Sequence, residues 1–195
     1  LLAPLRTAHR LRRELGRPTS MTTQFVVGAA QESDREILST TARLYREIDL
    51  DRAYYSAFQP IPDTPLEGQP ATPAWREHRL YQADFLLRQY GFTFDDLIFD
   101  EQGNLSAHAD PKMLWAMHHP ERFPIEVNTA SREDLLRVPG VGPKSASAIL
   151  GRRRQGCLRA LNQLGLPGAL AQRAAPFVTL NGRRPEFQLS LWSNR

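Results

Sequence analysis

The sequence contains a single cysteine, Cys157, and only two lysines, Lys112 and Lys144, among 195 residues. One thiol excludes an internal disulfide and any metal site built on several cysteines, and it fits a reducing cytoplasm. No apolar run approaches the ~18 residues needed to span a bilayer, and no leader pattern opens the chain, so no membrane partner is expected. The chain starts on Leu1 rather than Met, and "LLAPLRTAHRLRREL" already reads as helix. That start is expected of a piece of a longer protein.

What is present is arginine and an uneven charge. Apolar residues make up 41%, enough for a packed core, and the formal net charge is +4. Residues 1–125 carry 14 Lys/Arg against 17 Asp/Glu, whereas residues 126–195 carry 11 against 4. The positive field is therefore concentrated in the last 70 residues, as in a surface that meets a polyanion.

Apolar spacing predicts a helix over 6–15, ended by Gly16 and Pro18. "TTQFVVGAA" then reads as a strand buried on both faces. Ser33 and Asp34 can cap a helix carrying Ile37, Leu38, Leu44 and Ile48, and "RAYYSAF" follows as a second strand. This β-α-β order belongs to parallel sheets and barrels. Five prolines in residues 59–74 mark an extended connection. A helix with Leu80, Phe85, Leu86 and Tyr90 on its apolar stripe ends at Gly91, and two short helices follow near Asp95 and after Asp110. The composition turns basic and helical near residue 126.

The chemistry is concentrated in "LLRVPGVGPKSASAIL", Leu135 to Leu150. Thr129 or Ser131 can cap the helix before it, with Asp134 three residues beyond Ser131. Pro139, Gly140, Val141 and Gly142 make a turn, and Pro143 suits the first position of a second helix. A helix start leaves N–H groups without partners, and glycines let an anion approach them. Lys144 can reach a phosphate oxygen. A nucleotide-binding P-loop needs a preceding strand and adjacent Gly-Lys-Ser/Thr; here the preceding element is a helix and Pro143 intervenes. A dinucleotide fingerprint fails likewise, with Ser145 at its third glycine. A helix–turn–helix grip on nucleic-acid backbone, without base reading, is left.

"VNTASREDLLRVPGVGPKSASAIL" resembles the helix-hairpin-helix DNA-binding motif, in the version also found in competence DNA receptors. The resemblance implies that the hairpin amides hold a DNA phosphate, with a monovalent cation bound there, and that duplex DNA is the partner. Matching positions are Pro139, Gly140, Val141, Gly142, Lys144 and Ala146, with Ser145 in the same first helical turn; Ala146 and Ile149 pack helix on helix. Arg152, Arg153 and Arg154 are either auxiliary phosphate contacts or a solvated helix face. A second turn, Gly165-Leu166-Pro167-Gly168, departs from the pattern and is expected to be a structural partner.

The succession "TTQFVVGAAQESDREIL", "YYSAFQPIP", "REHRLYQADFLLRQYGF" and "GNLSAHADPKMLWAMHHPERFPIEVNTA", followed by the hairpin, resembles the C-terminal half of DNA modification/repair radical SAM proteins. That resemblance runs from about residue 20 onward. It implies an α/β fold, a partial parallel TIM-type barrel that is mostly helical, followed by a small all-α helix-hairpin-helix module. The implied divisions are residues 1–60, a Pro-rich and helical connection over 61–125, and the module over 126–195. The family's [4Fe-4S] cluster and S-adenosylmethionine belong with a CxxxCxxC motif in a missing N-terminal barrel half. Cys157 alone cannot replace that motif, because cluster ligation takes several thiolates. No radical chemistry is expected of this chain by itself. "FVVGAAQE" resembles the strand lying against S-adenosylmethionine, with Gly28 for close approach and Glu32 nearby, although the glutamate is one position off the usual spacing.

Other polar residues have simpler readings. His108, His118 and His119 with Asp110 do not have a metal-ligand spacing, and Asp95 and Asp96 suit a helix start better than an acid/base pair. Tyr54, Tyr55 and Phe58 read as core rather than base-stacking residues. Two alternatives to a DNA-targeting portion of an enzyme stand: a non-catalytic DNA-binding adaptor, and a hairpin used for protein contacts.

Overall fold

Ser33 begins a helix in the way its position demands. Its hydroxyl accepts the Glu36 N–H at 3.3 Å, and the Glu36 carboxylate accepts the Ser33 N–H at 2.8 Å. The reciprocal pair satisfies donors that a helix start leaves open. A computed structural model describes residues 2–16 and 19–186, among which there are seven α-helices. Pro18 and the last nine residues of the expected module, 187–195, lie outside the described part. The chain divides into two units, one running to Leu87 and including Thr93–Pro111, the other made of Arg88–Phe92 and the chain from Lys112 onward. These units follow other boundaries than the expected divisions at residues 60 and 125, because Pro/Gly punctuation marks connections and does not show which core a segment joins.

The first unit contains α1 (Leu2–Leu15), β1 (Thr22–Val27), α2 (Asp34–Ile48), β2 (Arg52–Ala57) and α3 (Ala74–Gln89), the last of which runs two residues past the division. β1 and β2 pair in parallel, with Phe25 opposite Tyr55 and their rings stacked at 5.8 Å. On the covered face Tyr55 meets both helices: its hydroxyl donates to Thr41 of α2 at 3.2 Å, and its ring meets Tyr81 of α3 edge-on. The outer amides of β2 are taken by side chains. Ala53, Tyr55 and Ala57 donate to the Tyr45 hydroxyl, the Tyr81 hydroxyl and the Glu77 carboxylate at 3.1, 3.1 and 2.8 Å. β2 is thus a closed edge, protected from further pairing.

Two expectations are corrected here. β1 is not buried on both faces: Val27 is fully buried but Val26 is 52% exposed, because α2 and α3 both lie against the Tyr55 side. Nor is a barrel formed; the described residues contain a single two-stranded parallel β-α-β sheet in this unit. The core reading of Tyr54 is corrected as well: Tyr55 and Phe58 join the core, but Tyr54 alternates to the uncovered face, 39% exposed under Arg52.

The second unit contains α4, which begins at the division (Pro111–His118), β3 (Ile125–Glu126), α5 (Arg132–Arg137), α6 (Pro143–Arg153), α7 (Gly168–Ala174) and β4 (Val178–Thr179). Its core gathers Val127, Leu135, Leu136, Val138, Ala146, Ile149, Leu164 and Val178. The module is not wholly α-helical. β3 pairs in parallel with β4, and the Glu126 carboxylate accepts the N–H groups of Asn181 and Gly182 at 3.1 and 2.8 Å. Strands of two residues leave no periodicity to read. No helix of the described residues is long and apolar enough to cross a membrane.

Candidate nucleic-acid interface

The hairpin is built from both sides. Ser131 caps α5, accepting the Asp134 N–H at 3.0 Å. After α5 the chain tightens through Val138 N–H to Leu135 O at 3.2 Å and Val141 N–H to Val138 O at 3.1 Å. Val138 and Val141 put their side chains into the core and pin the turn. Gly140 has φ +86°, a left-handed conformation that side chains disfavour. α6 then starts at Pro143 with Gly142 as a cap that offers no side chain.

This leaves a row of donors. The Ala146 N–H bonds to Gly142 O, but the N–H groups of Gly140, Gly142, Lys144 and Ser145 have no acceptor among the described residues. Lys144 is exposed beside them. Unpaired amides at a helix start, with a cation in the first turn, form an anion site.

The predicted residues divide by role. Gly140, Gly142, Lys144 and Ser145 come together at the turn, whereas Pro139 and Val141 are buried and act as scaffold. Arg153 is occupied within the module, donating to Val127 O and Ala130 O at 3.1 and 2.6 Å. Arg152 donates to Gln163 O at 3.1 Å and lies over Gly165, where a β-carbon would stand 1.7 Å from Nη1. Both arginines thus clip carbonyls of the module through Nη1. The second turn is a packing partner: Leu170 O lies 2.5 Å from the β-carbon position of Gly140.

Sequence reasoning missed the layer behind the hairpin. Lys112, buried at 7% exposure, donates to Val141 O at 2.5 Å, and its ammonium lies 4.7 Å from the centre of the Tyr90 ring. The Tyr90 hydroxyl lies 3.1 Å from the β-carbon position of Gly142. Arg137 stacks over Phe92 at 3.9 Å and Trp115 at 4.7 Å, and donates to Gly91 O at 3.1 Å. Burial, and secondarily the nearby Arg137 charge, bring the Lys112 pKa down to about 7; burial raises that of Tyr90. The available signal was the scarcity of lysine itself, since both lysines serve this turn. A monovalent cation at Val141 O would stand beside this ammonium, so at that oxygen the two do not fit together.

In the first unit, Gly28 and Glu32 line a cleft at the strand ends with Ser33, Thr72, Arg76 and Asn104. Glu32 accepts the Gly28 N–H at 2.5 Å and the Ala30 N–H at 3.0 Å. A β-carbon on Gly28 would stand 2.1 Å from Thr72 Oγ1. The close approach at Gly28 is thus made by the chain's own Thr72, and these two residues do not fit the part expected of them toward S-adenosylmethionine. One exposed cysteine does not fit a [4Fe-4S] cluster. The ring nitrogens of His118 and His119 pair with the carbonyls of Leu114 and Trp115 one helical turn back.

Residues 125–151 match the helix-hairpin-helix motif family. No curated protein and no solved structure matches the chain.

Proposed function

We propose that the second unit binds DNA through its phosphate backbone, without reading base sequence. The observation that carries this reading is the set of four unpaired amides at Gly140, Gly142, Lys144 and Ser145 beside an exposed lysine. The motif match over residues 125–151 supports a nucleic-acid partner. Backbone amides fix a phosphate by position and charge but carry no base information. Duplex DNA is the partner proposed, bound at one phosphate per hairpin with Lys144 adding charge. The direct test is amide NMR during titration with a short duplex. Shifts concentrated on these four N–H groups are expected; shifts confined to the first unit would contradict the reading.

A finer reading concerns the longer protein. The order of segments from about residue 20 to the hairpin supports a DNA-targeting portion of a radical SAM DNA modification or repair protein. The cluster cysteines would then be encoded outside this sequence, since Cys157 stands alone. A gene carrying no CxxxCxxC on the N-terminal side would leave the DNA-binding adaptor as the better account.

A further inference from the structure

Peptide geometry links Lys112 to the anion site. The carbonyl of Val141 and the N–H of Gly142 belong to one planar trans peptide unit and point in opposite directions. Lys112 holds the carbonyl at 2.5 Å from inside the unit, so the N–H is directed away from it. Lys112 has no carboxylate within ion-pair distance among the described residues. The groups facing it are the Arg137 guanidinium from α5 and the uncharged Tyr90 phenol, while His118 and His119, on or beside its own helix, turn to helix carbonyls.

We propose that Lys112 is a positioning residue of the phosphate site: it fixes the Val141–Gly142 peptide with its N–H outward and supplies, from behind the turn, a positive charge that only an arriving phosphate balances. This rests on the DNA-binding reading above. A hydrogen-bonded chain from ammonium through peptide to phosphate polarises each member in the same sense. Summed bond and contact lengths put the ammonium roughly 8 Å from the phosphate, within one Debye length at physiological salt. A buried charge without a counter-ion is costly, and burial has already brought Lys112 down to about 7. A docked phosphate restores the charged form, so binding takes up a proton. Affinity is then full below pH 7 and falls as pH rises above it.

The test uses the 195-residue chain and a fluorescein-labelled duplex at constant ionic strength, with anisotropy read across neutral pH. One titrating group linked to binding gives the wild type a loss of ~10-fold between about pH 7 and pH 8.5. Lys112→Arg, charged throughout, binds with a flat profile. Lys112→Met, if its melting matches the wild type, binds ~10-fold more weakly at low pH and is also flat. If the methionine variant does not fold, the wild-type and arginine profiles decide. A flat wild-type profile, a sloped arginine profile, or a folded methionine variant with undiminished affinity each overturns the assignment while leaving DNA binding intact. Absence of duplex binding by the wild type at every pH removes the DNA reading, and this assignment with it.

Discussion

The carbonyl oxygen of Leu170 lies 2.5 Å from where a β-carbon on Gly140 would stand. The hairpin turn and the first turns of α7 are therefore in backbone-to-backbone contact, and only a hydrogen fits between them. Gly140→Val combines the left-handed backbone, costing roughly 1–2 kcal/mol, with an overpacking clash of similar size. Thermal melting should show the second unit destabilised by about 3 kcal/mol. A melt unchanged from the wild type would place the two elements farther apart.

Arg153 and Lys144 should separate structure from binding. Arg153 donates to two carbonyls within the module, so Arg153→Met should cost about 2 kcal/mol of stability and leave residual DNA affinity in proportion to the folded fraction. Lys144 is exposed, so Lys144→Ala should leave the melt unchanged and weaken DNA binding several-fold. Parallel melting and binding curves check both. The reverse pattern would make Arg153 the phosphate ligand.

Much of this arrangement could be read locally. The caps at Ser33 and Ser131 and the Pro-Gly-Val-Gly turn each depend on residues within four positions, and the β-α-β order follows from the period of each segment taken by itself. The Lys112–Val141 contact spans 29 residues and Arg153–Val127 spans 26, and no pattern along the chain signals such pairs. The same limit explains the two-residue β3–β4 pairing. It also explains Gly28, whose neighbour Thr72 returns from the proline-rich connection. Val26 is exposed rather than buried because an apolar run does not reveal how many layers will cover it.

Glu126 should set the acid sensitivity of the second unit. Burial alone would raise its pKa, but N–H donors from Gly182, Asn128 and Asn181, with the Asn128 side chain, outweigh it and hold the group at about 2. The folded value lies below the unfolded one, so the carboxylate contributes stability that is fully present above about pH 4.5 and is lost as pH falls toward 2. Glu126→Gln should lower neutral-pH stability by about 2 kcal/mol and flatten the acid limb. Urea unfolding at a series of acidic pH values checks this.

In the first unit Arg76 donates to the fully buried Asp34 at 2.6 Å, and Asp34 also accepts the Leu105 N–H at 2.9 Å. Removing one partner leaves an uncompensated buried charge, so Arg76→Met should destabilise this unit by about 3 kcal/mol. Denaturation monitored through this unit checks it, and a change below ~0.5 kcal/mol would show that water replaces the guanidinium.

The most direct test of the account is the salt dependence of duplex binding, measured for two unrelated sequences and for Lys144→Glu. Backbone binding through the hairpin predicts log Kd rising linearly with log salt, with a slope of roughly 1 for each phosphate contacted. The slope and affinity should be the same for both sequences, and Lys144→Glu should bind at least ~10-fold more weakly. Binding that is indifferent to salt, or that Lys144→Glu leaves unchanged, would contradict the assignment of the phosphate to this hairpin.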